Sequence, residues 1–231
     1  MKIRISVELS HICPVEELPG HIARIESSGF HRVWVPDTVV SPWEAWLAAG
    51  MIAHQTRRVK IGLGVTNPYT RHPMVTAQMA ATLQQLSQGR LSLSMGRGIG
   101  KLMDKAGIAQ KETAVSECIK ILRGLIAGER VSCRGEAFQV DGIRLRTAPP
   151  QTPIHIYQAL MNPAGVPAAS ETADGMVTVW NPAAADSWQS VLSDLQIPAA
   201  ALIPFSLTVK DFFPFRISDP GELQTTVKDM S

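Results

Sequence analysis

The chain has 231 residues, 45% of them hydrophobic and 18% charged, and its 22 Lys and Arg against 20 Asp and Glu leave a net charge of +2. That length and mix support one domain with a sizeable core, exclude a disordered chain, and offer no basic block with which to hold nucleic acid. The three scattered cysteines, Cys13, Cys118 and Cys133, form no metal spacing, and with no bilayer-length apolar run and no signal-peptide layout the expectation is a soluble cytoplasmic protein without a membrane partner.

In chain order, residues 3–9 alternate and are β-branched, which predicts a first strand. Pro14 and Glu16-Glu17 open a helix carrying Leu18, Ile22 and Ile25 that ends near Gly29. A second strand, 32–36, is stopped by Pro36-Asp37. Ser41 as cap, Pro42 at the first position and Glu44 three residues after the cap predict a helix to about Thr56. The third strand spans 59–66, a helix covers 73–86, and Gly89 breaks the chain before a fourth strand at 91–95. Residues 112–127 read as a strong helix with Val115, Ile119, Leu122 and Ile126 on one face. Residues 131–145, with turn signals at Gly135 and Asp141-Gly142, read as a small β insertion. A fifth strand at 153–160, a helix opened by Asn162-Pro163, a sixth strand at 175–180, a helix around 187–195 and a seventh strand at 200–209 follow. Residues 210–231 form an irregular tail.

Alternating strands and helices predict an α/β fold with a parallel sheet. The expected architecture is a single-domain TIM-type (β/α) barrel of about seven strands over residues 1–209, with a doubly wound open sheet as the alternative. Both place ligands at the carboxyl ends of the strands. Here those ends carry Glu8, Asp37-Thr38, Thr66-Asn67, Gly96-Arg97-Gly98, Gln158, Asn162, Thr178 and Asn181. This set has no nucleophile with a base and no metal-ligand cluster, but many backbone-exposing glycines and uncharged hydrogen-bonders, which suits a large bound cofactor. Plainer readings stand beside it. Asp37 after Pro36 can cap a turn, and Gly64 can be a packing glycine or bulge. Gly96-Arg97-Gly98 alone is too short for a phosphate loop. His72 suits a helix start, His155 a core or barrel layer, and Trp34, Trp43 and Trp46 suit core or interface positions.

The stretches Gly64-Val-Thr-Asn-Pro-Tyr-Thr-Arg-His-Pro73 and Gly89-Arg-Leu-Ser-Leu-Ser-Met-Gly-Arg-Gly98 resemble the bacterial luciferase-like oxidoreductases. Ile121-Leu-Arg-Gly-Leu-Ile-Ala-Gly-Glu129, Gly135-Glu136 before Phe138, and Ala173-Asp-Gly175 match the same pattern in order. The nearest branch is the deazaflavin (F420) group that includes methylenetetrahydromethanopterin reductase, followed by FMN-using monooxygenases. The resemblance implies hydride transfer between F420, or alternatively FMN, and a small-molecule substrate. It implies a bulge after the third strand with a cis peptide at Gly64-Val65, so that Gly64, Val65, Thr66 and Asn67 line the cofactor ring. Met95, Gly96, Arg97, Gly98 and Gln158 would border ring and cofactor chain. Asn162, Pro163 and Ala164 would hold the phosphate, and Asp37 and Glu8 would handle a proton. A homodimer or higher homo-oligomer is implied, with Trp43, Trp46, Met51, Met74 and Met79 as its apolar face. The chain departs from the pattern at Thr38, where relatives carry His, at Ile99-Gly100, at Asn162 in place of Gly, and in its C-terminal end, which lacks the family's last strand and long helices. These departures keep open a non-catalytic relative that serves assembly or ligand binding.

Overall fold

The computed structural model of the chain describes residues 5–9, 13–179, 188 and 199–202. Among the described residues, seven parallel strands form one sheet: β1 (Ser6–Glu8), β2 (Arg32–Val35), β3 (Lys60–Thr66), β4 (Leu91–Met95), β7 (His155–Ala159), β8 (Gly175–Val179) and β9 (Ala199–Leu202), hydrogen-bonded in that order. Between β4 and β7 the chain makes a separate antiparallel hairpin, β5 (Val131–Arg134) with β6 (Gln139–Ile143), where the insertion is expected. The helices are α1 (Leu18–Ser27), α2 (Ala45–Gln55), α3 (Pro73–Leu86), α4 (Gly100–Lys105), α5 (Ala114–Ile126) and α6 (Val166–Ser170). This is the α/β, TIM-type arrangement that the strand–helix alternation predicts. The end of the expected seventh strand beyond residue 202, the helix around 187–195 apart from Trp188, and the tail at 210–231 lie outside the described residues.

The two faces of the sheet do different work. Val33, Val35, Ile61, Leu63, Leu91, Leu93 and Ile156 share a buried cluster with Leu18, Ile22, Ala49, Ile52, Ala77, Ile119 and Leu122 of the helices. Successive strand residues point to opposite faces, so Ile61 and Leu63 send the glycines between and after them, Gly62 and Gly64, to the other side. On that side the Trp34 and Tyr157 rings meet edge to face at 6.2 Å, with the Arg32 guanidinium 5.3 Å and 5.7 Å from their centres. β2 and β7 are separated by β3 and β4, about 14 Å in a flat sheet. Their rings meet because the strands between contribute only Gly62 and Ser92 at this level, and a side chain at Gly62 would run into the Trp34 indole.

Several local expectations are corrected. α2 starts at Ala45, not after Ser41, because the Glu44 carboxylate accepts the Leu47 N–H at 2.8 Å and takes the cap. α4 was not expected: Gly100 and flanking polar residues hide a helix whose only fully inward residue is Met103. His155 is exposed at the start of β7 and is no core residue. His72 does cap α3, its Nδ1 accepting the Met74 N–H at 3.2 Å. Trp43 and Trp46 are buried, at 8% and 5% exposure, and so cannot form an association face.

Two carboxylates fasten loops to helices. Glu26 of α1 accepts the N–H groups of Arg57, Arg58 and Val59, each at 3.0 Å. Glu117 of α5 accepts those of Glu136, Ala137 and Phe138 at 2.9–3.0 Å. Burial pushes both acids up, but the hydrogen bonds outweigh it and hold both below the ordinary carboxylate value; Thr113 adds to the effect at Glu117 and the Arg58 charge at Glu26. A depressed folded pKa contributes stability that is present above the unfolded value, about 4.3, and is lost as pH falls through the folded one. Urea midpoints are therefore expected to drop on acidification below about pH 4.3, and less steeply in Glu26→Gln and Glu117→Gln. Equal acid slopes in wild type and both variants would refute these two anchors.

Candidate functional site

The register between β3 and β4 shifts between Leu63 and Thr66, and the Gly64–Val65 peptide inside that shift is cis. Gly64 has φ +154°, and a Cβ there would lie 2.6 Å from Ser94 Cβ and 2.7 Å from the Ser94 carbonyl oxygen. A Cβ on Gly96 would lie 2.6 Å from Val65 Cγ1 and 3.2 Å from Ala159 Cβ. The Val65 side chain therefore spreads over Gly96 beside Ala159, and the ends of β3, β4 and β7 form one wall. The Gly96 N–H donates to the Thr66 carbonyl at 2.9 Å and closes the wall behind the shift.

Next to the wall, Asn67 is 5% exposed and accepts the N–H groups of Tyr69 at 3.0 Å and Thr70 at 2.9 Å, which turns the chain back toward α3. Gly98 lies against Asn67, where a Cβ would be 3.3 Å from Asn67 Cβ. The Arg97 carbonyl accepts from Gln110 Nε2. Thus Gly64, Val65, Thr66, Asn67, Gly96, Arg97 and Gly98 come together, as the sequence pattern implies.

The expected carboxylates differ sharply. Glu8 ends β1 opposite Trp34 and is exposed. The Asp37 side chain is 8% exposed and crowded with donors. Its Oδ2 accepts from Thr66 Oγ1 at 2.6 Å, Arg71 Nη1 at 2.7 Å and Trp46 Nε1 at 3.3 Å, and its Oδ1 accepts from Arg71 Nη1 at 3.0 Å. Arg71 also bonds Glu44.

Two expected lining residues depart from the prediction. Met95 is fully buried in the helix-facing core with Leu93, so its side chain does not reach the strand-end mouth. Gln158 pairs with Met95 and Met176 and shares their face; its Oε1 is buried without a hydrogen-bond partner. At the turn after β7, Asn162 Oδ1 accepts the Ala164 N–H at 3.1 Å, Pro163 has no N–H, and the Val166 N–H donates to the Pro163 carbonyl. Two of the turn's donors, the Ala164 and Val166 N–H groups, are thus spent internally, and the α-helix behind it has five residues. Asn181 lies outside the described residues.

Arg71 was missed by sequence reasoning, although it left a signal. It sits just before the His72 cap of α3, where the helix dipole disfavours a cation. An arginine there requires acidic partners, and Asp37 and Glu44 supply them.

A profile of the luciferase-like monooxygenases matches residues 2–194. The chain is 31% identical over 166 residues to the 5,10-methylenetetrahydromethanopterin reductase of Methanolobus tindarius, covering 71% of this chain and 50% of that protein. It is 30% identical over 189 residues to the F420-dependent hydroxymycolic acid dehydrogenase of Mycobacterium tuberculosis, covering 75% of this chain and 52% of that one. The structure of the coenzyme F420-dependent tetrahydromethanopterin reductase from Methanopyrus kandleri superposes with a TM-score of 0.74 at 24% identity, over 90% of this chain and 67% of that one. The chain spans about half the length of the curated relatives it matches. The parallel sheet, the shifted β3–β4 register and the profile match over residues 2–194 agree: the chain belongs to the luciferase-like monooxygenase family.

Proposed function

We propose that the chain carries the cofactor side of an oxidoreductase that binds coenzyme F420 and exchanges hydride with a small organic substrate at the strand carboxyl ends. The observation that carries this reading is the wall of Val65, Gly96 and Ala159 at the shifted register, kept low by residues with little or no side chain. A planar ring fits against such a surface, into which a Cβ at Gly96 would push the Val65 side chain. The names of the relatives, an F420-dependent dehydrogenase among them, favour F420 over FMN.

When bound, a deazaflavin supplies a two-electron hydride carrier that does not activate oxygen as FMN does. The protein's own part is to hold the ring side with Gly64, Val65, Thr66, Asn67, Gly96, Arg97 and Gly98. The turn at Asn162, Pro163 and Ala164 fits an anion less well, because the Ala164 N–H is already bonded within the turn and Pro163 has none. Of the two carboxylates, Glu8 is the exposed one and on that ground suits proton exchange with substrate, whereas the Asp37 side chain is 8% exposed. The identity of the substrate class rests on loops around this mouth.

Titrating the full chain with F420 and with FMN, followed by cofactor fluorescence, tests the reading. Saturable binding of F420 and none of FMN is the expected result. Preference for FMN moves the protein to the monooxygenase class. Binding of neither favours the non-catalytic reading.

A further inference from the structure

We propose that Arg71 and Asp37 form a positioning clamp for the strand-end wall, so that Asp37 serves by holding Thr66 rather than by exchanging a proton. The clamp's link to ligand binding rests on the function proposed above; its effect on the wall does not.

One oxygen of the carboxylate, Oδ2, is saturated. A carboxylate oxygen offers about two lone-pair sites, and Asp37 Oδ2 already meets the Thr66 hydroxyl, the Arg71 guanidinium and the Trp46 indole N–H. Protonating Asp37 would sacrifice its charge-assisted pair with Arg71, among the stronger kinds of hydrogen bond in a protein. The arrangement also explains why an arginine is tolerated in front of α3: two carboxylates offset the unfavourable dipole.

The connections run in one line across three strand ends. Glu44 caps the start of α2 through the Leu47 N–H and bonds Arg71. Arg71 bonds Asp37, at the end of β2. Asp37 accepts from Thr66, at the end of β3, and the Thr66 carbonyl accepts from Gly96, just past β4. Thr66 directly follows Val65, whose methyl groups sit over Gly96. Fixing Thr66 from the side of α2 therefore sets how Val65 lies on the wall. A guanidinium does this with its flat fork, holding Asp37 through one nitrogen and Glu44 through the other; a lysine ammonium has no such fork.

The test uses the full chain with Arg71→Met, Arg71→Lys, Asp37→Asn, Thr66→Val and the Arg71→Met/Thr66→Val double variant. Without ligand, amide hydrogen exchange at Gly96 is expected to speed up about tenfold in Arg71→Met and Thr66→Val, the scale of one charge-assisted hydrogen bond. With F420 as probe, the dissociation constant is expected to rise about tenfold in Arg71→Met, Asp37→Asn and Thr66→Val alike. Arg71→Lys should recover part of the loss, and the double variant should be no weaker than Arg71→Met, because the two residues act through one chain. Unchanged Gly96 exchange overturns the clamp. Accelerated exchange with unchanged F420 binding, measured well below each variant's melting temperature, overturns its role in positioning the ligand. If wild type binds no F420 while the exchange pattern holds, the proposed function fails and the structural clamp stands.

Discussion

Gly64→Ala is expected to destabilise the fold by about 3 kcal/mol, through overpacking and an unfavourable backbone angle together. The new methyl would sit 2.6 Å from Ser94 Cβ and 2.7 Å from the Ser94 carbonyl. Ser94 belongs to the middle of β4, is fully buried, and is held between β3 and β7, so it has no room to retreat. At φ +154° the residue also lies in a region that side chains with a Cβ rarely adopt. Gly96→Ala is the informative contrast. Its obstacle is the tip of Val65, a side chain that can rotate, so stability should fall less, while Val65 is pushed outward into the space where a ring would lie. Urea denaturation separates the two: a loss below about 1 kcal/mol in Gly64→Ala, less than the usual cost of overpacking alone, would contradict the close approach.

The sheet was legible because its signals are local. Period-two alternation in residues 3–9 and short apolar runs such as Arg32-Val-Trp-Val35, stopped by Pro36-Asp37, mark strands, and the helices between them carry apolar stripes such as Val115, Ile119, Leu122 and Ile126, all buried as expected. The same alternation held more information than the list of strand ends used. In Leu91-Ser-Leu-Ser-Met95 the methionine has the parity of the two leucines and follows them into the helix-facing core. A residue at a strand end is thus not automatically a residue of the site.

Across a register shift, parity arguments fail in the other direction. One inserted residue exchanges the two faces, so the orientation of Thr66 relative to Gly64 cannot be counted off from Ile61. That Thr66 meets Asp37, and that Asp37 is consumed by Arg71, depends on three loops converging from residues 37, 66 and 71. No local pattern encodes such a convergence; only the misplaced charge before α3 hints at it.

The motifs that carried the resemblance turn out to be largely fastenings. Arg123 donates from Nε to the Thr172 carbonyl at 2.9 Å and pairs with Asp174 at 2.9 Å, and Asp174 in turn accepts the Ile156 N–H at 2.8 Å. This joins α5 to the starts of β7 and β8 at the end of the sheet opposite the candidate site. Gly135 gives the Glu117 carboxylate room to reach the three N–H groups of the hairpin loop. Such residues recur in order along the chain because the fold needs them, which is why the pattern identifies the family more securely than it identifies the chemistry.

Arg90, from the Gly89-Arg90 part of that pattern, shows how much one fastening can hold. Its Nε donates to the Ser87 carbonyl at 2.7 Å. One terminal nitrogen reaches Thr56 Oγ1 at 2.8 Å and the Val59 carbonyl at 2.7 Å, and the other reaches the carbonyls of Ala53 at 3.1 Å and Thr56 at 3.0 Å. The side chain thus closes the C-terminal ends of α2 and α3 over the entrance to β3, where helix carbonyls lack partners and the dipole favours a cation. Burial pulls the guanidinium below its ordinary pKa while the Glu26 charge pulls it back, and the group stays protonated at neutral pH. Arg90→Met keeps much of the stem but strands four carbonyls and a hydroxyl. The expected cost is about 3 kcal/mol, the upper end for hydrogen bonds from one charged donor, because the partners left behind are neutral and only partly buried. Arg90→Lys should recover only part, since an ammonium has three donors on a different geometry from the five-donor fork. The measurement is the urea midpoint, with an unchanged slope showing that the same cooperative unit unfolds. A shift of the midpoint worth less than about 1 kcal/mol, the net value of a single ordinary hydrogen bond, would mean that water satisfies these carbonyls as well as arginine does.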